Sequence, residues 1–143
     1  MSLSVKIEGL SAVNKRLAKF SSGSKSNLAA AINKATAVVE GGAKRNCPVD
    51  TGNLRGSIHM SPAKEEGNQI SGEVYTNTEY APYVEFGTGR RGGYPYKTKL
   101  PLSYRGDWPG QAAQPFLGKS LHENEKIVRT IIKSALGKAV KNA

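Results

Sequence analysis

The chain has 143 residues, 21 lysines and arginines against 11 aspartates and glutamates, a formal net charge of +10 and a single cysteine, Cys47. That length fits one domain, since most run about 100 to 150 residues. At 38% hydrophobic residues, no window approaches the roughly 18 continuous apolar residues of a membrane span, and one cysteine excludes an intramolecular disulfide or a thiolate metal knot.

The lone thiol suits a reducing compartment. The opening Met1-Ser2-Leu3-Ser4-Val5-Lys6-Ile7-Glu8 has no charged and then apolar stretch of a secretory signal, so the expectation is a soluble protein made in the cytoplasm. The charge is unevenly placed. Residues 1–46 carry eight basic and two acidic side chains, 47–87 two and six, 88–118 five and one, and 119–143 six and two. An acidic middle between basic flanks lets one copy attract the opposite side of another, although ordinary solvated charge gives the same tally.

From Glu8 to Phe20, Leu10, Val13, Leu17 and Phe20 recur at helical spacing with Lys15, Arg16 and Lys19 between them, which predicts an amphipathic helix stopped by Ser21-Ser22-Gly23-Ser24. A longer helix is expected from Ser26 or Asn27, buried along Leu28, Ile32, Ala35, Val39 and Ala43, with alanines at 29, 30, 31, 35 and 37 allowing a close neighbour. Gly41-Gly42 weakens its last turns and Pro48 ends it.

After the Asp50-Thr51-Gly52 turn, Leu54, Gly56, Ile58 and Met60 alternate with Arg55, Ser57 and His59 as in a half-buried strand, and Ile70, Gly72, Val74 and Thr76 alternate with Ser71, Glu73 and Tyr75. The polar stretch Ser61–Gln69 between them reads as the turn of a hairpin. Tyr80 to Phe86 is too aromatic for a solvated loop and too short for periodicity to separate helix from strand.

Between Gly89 and Gln114 the pattern dissolves into glycines and prolines. The stretch nonetheless carries Arg90, Arg91, Tyr94, Tyr96, Lys97, Lys99, Tyr104, Arg105 and Trp108. Arginine, tyrosine and tryptophan dominate protein interfaces and also stack on and neutralise nucleic acid, so these nine residues are the candidate partner interface. Composition alone does not separate a protein partner from DNA or from disorder. Beyond Pro115, the run Leu117, Leu121, Val128, Ile131, Ile132, Ala135 and Leu136 predicts one long amphipathic helix, fraying over Lys138 to Ala143.

Catalytic motifs fail their tests. Asp50-Thr51-Gly52 spells the aspartic-protease triplet, but that chemistry needs two facing carboxylates and one chain offers one copy. Gly118-Lys119-Ser120 matches the tail of a phosphate-binding loop, but the glycine needed five positions earlier is Ala113. Gly87-Thr88-Gly89 with Arg90-Arg91-Gly92-Gly93 is too short for a dinucleotide fingerprint. His59 and His122 have no spaced partners, and Ser57 and Cys47 have no positioned base. No catalytic, metal or cofactor site is therefore assigned. Pro48, Asp50, Thr51, Gly52, Gly87 and Pro115 are assigned to turns.

In order, the segments Pro48-Val49-Asp50-Thr51-Gly52-Asn53-Leu54-Arg55-Gly56-Ser57-Ile58, Tyr80-Ala81-Pro82-Tyr83-Val84-Glu85-Phe86-Gly87-Thr88-Gly89 and Ala113-Gln114-Pro115-Phe116-Leu117 resemble the tail-completion, or head-tail joining, family of tailed bacteriophages and prophages. The resemblance runs from about Asn27 to Leu121, and the Gly89–Gln114 connection is longer than is usual there. It implies one α+β domain over 1–143, with a small antiparallel sheet packed on a long helix, N- and C-terminal amphipathic helices and an irregular insertion at 89–114. It also implies a virion protein made in the host cytoplasm and no catalysis, cofactor, membrane or small-molecule substrate. The implied partners are other copies in a ring, expected to be a hexamer, the head connector and the tail tube, with DNA passing through. A basic DNA-binding module and a minor component elsewhere in the tail are the alternative readings.

Overall fold

A computed structural model describes residues 3–9, 22–49, 52–66, 69–96, 98 and 100–141. Its elements are strand β1 (Leu3–Gly9), helix α1 (Ser22–Asn46), the one-turn helix α2 (Asn53–Gly56), strands β2 (His59–Glu66) and β3 (Gln69–Thr76), helix α3 (Ala81–Phe86), a 3-10 turn at Gly89–Arg91, and helices α4 (Phe116–Glu123) and α5 (Glu125–Lys141). The architecture is α+β. A three-stranded antiparallel sheet in the order β1-β3-β2 packs on α1, as do α4 and α5, and α4 also touches β1.

The predicted stripe of α1 is the centre of the molecule: Leu28, Ile32, Ala35, Val39 and Ala43 are all buried. Each large side chain among them contributes about 1.5 to 3 kcal/mol by leaving water. Because α1 is covered by the sheet and by α4 and α5, its surface must admit backbone as well as side chains. At Gly72 of β3 a methyl group would collide with Thr36 and Ile32 of α1, so the sheet lies against the helix at that point. At Gly42 of α1 a methyl group would collide with Ser120 and Asn124, so α4 lies equally close at this second point. Ser120 secures that contact by donating from Oγ to the Val39 carbonyl at 2.6 Å. Glycine 42 therefore serves packing, beyond any weakening of the last turns.

In the sheet, β3 is central. Leu3 to Gly9 pair with Thr76 to Ile70 on one side, and His59 to Glu66 pair with Tyr75 to Gln69 on the other. Ile70, Gly72, Val74 and Thr76 are buried, as the alternation predicts, while Ser71, assigned to the opposite face, is buried as well. The hairpin is longer than expected: Ser61 to Glu66, read as turn, continue β2 through a bulge between Ser61 and Lys64. Pro62 in the bulge has no N–H to give the ladder. The Ala63 N–H instead donates to Asn33 Oδ1 of α1 at 2.6 Å.

Four further expectations are corrected. The alternation Leu54-Gly56-Ile58 is not a strand; Gly52 adopts φ 84°, Gly56 donates back to the Gly52 carbonyl, and Leu54 and Ile58 are buried as an i, i+4 pair. Glu8 and Gly9, assigned to a first helix, belong to β1, while positions 10–21 lie outside the described residues. Ser22-Gly23-Ser24 opens α1 and does not precede it. The C-terminal run is two helices that meet at Asn124, where φ is −100° and the buried side chain donates to the Ser120 carbonyl, although the i to i+4 bonds from Asn124 to Ser120 and from Val128 to Asn124 remain. α5 then runs on through Lys141, into the stretch expected to fray.

Gly42→Ala should lose about 1 to 3 kcal/mol in urea unfolding, the range for overpacking a filled interface. Gly56→Ala, with nothing within 4 Å, should change stability by no more than about 0.5 kcal/mol.

Candidate partner interface

All three sequence segments meet on one surface, the third through Gln114. Pro48, Gly52 and Leu54 from the first, with Tyr80 and Val84 from the second, line a cleft of about 330 Å3 whose wall is completed by Gln111 and Gln114. Val49, the residue after Pro48, is exposed, and so are Tyr80 in the cleft wall and Tyr83, the α3 residue before Val84, Tyr83 by 62%. α3 can present them because its first turn accepts Pro82, whose missing N–H has no intrahelical partner in any case. Its other face buries Ala81, Pro82, Glu85 and Phe86.

Glu85 is 1% exposed and makes three hydrogen bonds. Its Oε1 accepts from the Leu117 N–H at 2.9 Å, and its Oε2 accepts from the Gly118 N–H at 3.0 Å and from the Tyr94 hydroxyl at 2.8 Å. Leu117 and Gly118 are in the first turn of α4, whose opening N–H groups have no intrahelical acceptor. A carboxylate from a segment some thirty residues upstream thus takes the place of a local cap and also favours the positive end of the helix dipole. Gly118 donates to this carboxylate as a phosphate loop would donate to phosphate, and its lack of Cβ leaves space for Tyr94, Tyr96 and Glu85. Burial pushes the Glu85 carboxyl above its ordinary range, opposed by Leu117, Tyr94 and Gly118 as donors. Burial, and then Glu85, keep the Tyr94 phenol protonated well above its usual range. A carboxylate bonded in this way lacks the open approach of a general base.

The stretch after α3 is built, not loose. Thr88 and Gln111 exchange N–H···O bonds at 2.8 and 2.9 Å, Arg90 donates to the Trp108 carbonyl, and Gln114 donates to the Val84 carbonyl. The two arms meet through glycines with positive φ: a Cβ on Gly89 or Gly110 would strike the opposite backbone. That is the physical reason for Gly-Thr-Gly at 87–89. The rings of Phe86, Tyr94, Tyr96 and His122 follow one another at centroid separations of 4.7, 5.6 and 5.3 Å. Tyr104 donates to the Phe86 carbonyl at 2.9 Å over Gly92, where a methyl group would collide with its ring.

The nine candidate interface residues therefore divide. Tyr94, Tyr96 and Tyr104 are half-buried and pack within the fold, while Arg90, Arg91, Arg105 and Trp108 are exposed, Trp108 by 50%. Arg105 forms a two-pronged pair with Asp107. Lys97 and Lys99 lie outside the described residues, as do Asp50 and Thr51 of the turn set. Pro48 ends α1's continuation, Gly52 and Gly87 take positive φ, and Pro115 is the residue before α4. Sequence reasoning missed Glu85, Val49, Tyr80, Tyr83 and Leu100. The signal for Glu85 was one acid inside an otherwise apolar and aromatic segment.

The remaining reactive side chains are occupied structurally. Ser57 Oγ lies 2.6 Å from Thr76 Oγ1 and from the Leu54 carbonyl, and Cys47 is buried, with desolvation pushing its thiol up against the pull of Arg55. Among the described residues no group of three or more His, Cys, Asp or Glu side chains comes together to hold a metal ion, and no helix is long and apolar enough to cross a membrane. A second cleft, of about 550 Å3, lies between α1 and α5 with Ala30, Ala31, Ile131 and Ala135 among its walls.

Compared with known families, residues 11–87 match the one described as "HK97-gp10-like: Bacteriophage HK97-gp10, putative tail-component". That span holds α1, the Asp-Thr-Gly turn, the hairpin and α3, and stops before the loop and the Pro-Phe-Leu segment. No curated protein and no solved structure matches the chain.

Glu85→Ala should cost about 3 to 5 kcal/mol in denaturant unfolding, because three donors lose their shared acceptor in a buried site. The native carboxyl holds its proton more tightly than the unfolded one, so its contribution is largest below the ordinary carboxylate range and declines as pH rises through the raised native value. Glu85→Gln should remove that slope from the stability profile measured between pH 3 and 7.

Proposed function

The chain belongs to the HK97-gp10-like family of bacteriophage tail components, and from that premise we propose that it is a virion protein that completes the tail and joins it to the head connector as a ring of identical copies. The role is structural. Its usefulness lies in shape: rigid surfaces, set by α1 and by the Glu85 bonds, are presented to neighbouring copies, to the connector and to the tail tube. The observation that carries this reading is the convergence of all three sequence segments on one cleft with exposed Tyr80 in its wall, while Glu85 on the buried face of α3 is consumed by internal bonds.

A ring needs two different surfaces that fit one another and a rotation that closes. The acidic 47–87 segment and the basic flanks supply opposite signs. Six copies is the number proposed. Neighbouring connector or tail tube acts as the template, which lets the free chain remain monomeric at low concentration. No bond-breaking chemistry is assigned to any side chain, and DNA passes through the ring without sequence readout.

Particles produced without this chain should accumulate as separate filled heads and finished tails in negative-stain electron microscopy. Absent or truncated tails would assign the protein to an earlier step. Replacing Arg90, Arg91, Lys97 and Lys99 with alanine should leave the thermal melt of the chain within a few degrees of wild type and lower infectious titre at least tenfold. Steeply salt-dependent duplex binding by the wild-type chain, lost in that variant, would instead make it a DNA-binding module.

A further inference from the structure

Each copy carries two apolar surfaces that the fold leaves uncovered. One is the cleft with Pro48, Leu54, Val84 and exposed Tyr80 in its walls, where Val49 and Tyr83, both exposed, are the chain neighbours of Pro48 and Val84. The other is the loop, where Leu100 and Trp108 are half exposed and Trp108 is held by its carbonyl to the N–H of the basic, exposed Arg90. We propose that the loop of one copy docks Trp108 and Leu100 against the cleft of the next copy, so that these two surfaces are the repeating contact of the ring; this deepens the ring reading and rests on it.

Three observations select a second copy as the occupant. First, the charges are complementary. With Glu85 buried and bonded internally, the 47–87 segment still has five acids against two bases, whereas 88–118 has five bases against one acid. Glu79, exposed, directly precedes Tyr80 at the cleft. Second, the chain's own loop does not fill the cleft. Gln111 is already part of its wall, and Trp108, three residues earlier, is tied through its carbonyl to the Arg90 N–H with its side chain half exposed. Third, the loop is held for contact. The Thr88–Gln111 exchange closes its base, and Tyr94 and Tyr104 pin its body to Glu85 and to the Phe86 carbonyl, so little ordering entropy is lost when it docks. Tryptophan, tyrosine and arginine are also the residues on which interface energy concentrates. Because cleft and loop are different surfaces, the contact is heterologous and repeats from copy to copy until it closes.

The test uses assembled particles. Glu79→Cys and Asp107→Cys place thiols at exposed sites beside Tyr80 and Trp108, and a short bismaleimide reports their proximity. The double variant should give a ladder of homo-oligomers of this chain, and each single variant should give none, since position 79 of one copy meets position 107 of the next. A double variant that enters particles without a ladder, or a single variant that forms homodimers, overturns the proposed contact and leaves the ring reading standing. Wild-type particles holding one copy of the chain overturn the ring reading, and the contact with it. Trp108→Glu keeps the proposal open to refutation if the cysteine variants are not incorporated. With its circular dichroism and thermal melt unchanged, it should enter particles at least tenfold less than wild type, and undiminished incorporation overturns the contact.

Discussion

The carboxylate of Glu85 is the constraint on which the outer half of the molecule depends. It sits on α3, accepts two N–H groups from the first turn of α4 and one hydroxyl from the loop, and so ties three chain segments that are far apart in sequence. Burying a charge is costly unless its lone pairs are satisfied, and here three donors offset the cost. The arrangement fixes the start of α4, which sets where Ser120 meets α1. It also fixes Tyr94, from which the aromatic series runs to His122. An acid that a sequence reader would consider for catalysis is instead a structural tie.

The inner half depends on α1, a helix of 25 residues and therefore roughly 37 Å long. It is covered by the sheet and by α4 and α5, and two glycines allow both to approach: Gly72 on the sheet and Gly42 on the helix. Polar side chains at these approaches bond to backbone carbonyls, Thr36 to Ile32 and Ser120 to Val39, and none of the buried side-chain polar atoms among the described residues lacks a partner. A framework of this kind holds surfaces at set angles, which is what a joint between two large assemblies requires.

Local periodicity made much of the fold legible. The α1 stripe and the buried alternation of β3 follow from spacing alone, because both elements are long or central and their burial is largely one-sided in sequence. The failures have specific causes. Leu54 and Ile58 satisfy a period of two and a spacing of four equally well, and the positive φ of Gly52 decided for a helical turn. Leu3, Val5 and Ile7 alternate with Ser4, Lys6 and Glu8, a strand signal that was overlooked beside the helical pattern after it. Asn124 interrupts a continuous apolar run at φ −100°, its side-chain amide sharing the Ser120 carbonyl with its own N–H, a local bond that spacing does not register. At the interface, residue type identified the loop but not its division of labour. Tyr94, Tyr96 and Tyr104 resemble Trp108 in composition, and only the partners of the first three, Glu85, His122 and the Phe86 carbonyl, separate anchors from the exposed ring. Tyr83 escaped notice because nothing in Tyr80–Phe86 fixes a helix, and hence an outer face, without the structure.

The function proposed for this tail-component family member is a geometric task at the junction of head and tail. Electron cryomicroscopy of the intact virion tests that most directly. The account predicts a closed ring of copies between connector and tail tube, with density for the Trp108 loop of each subunit lying on the Tyr80–Tyr83 surface of the next. Isolated single copies, or density for the chain at the distal tail or away from the tail altogether, would contradict it.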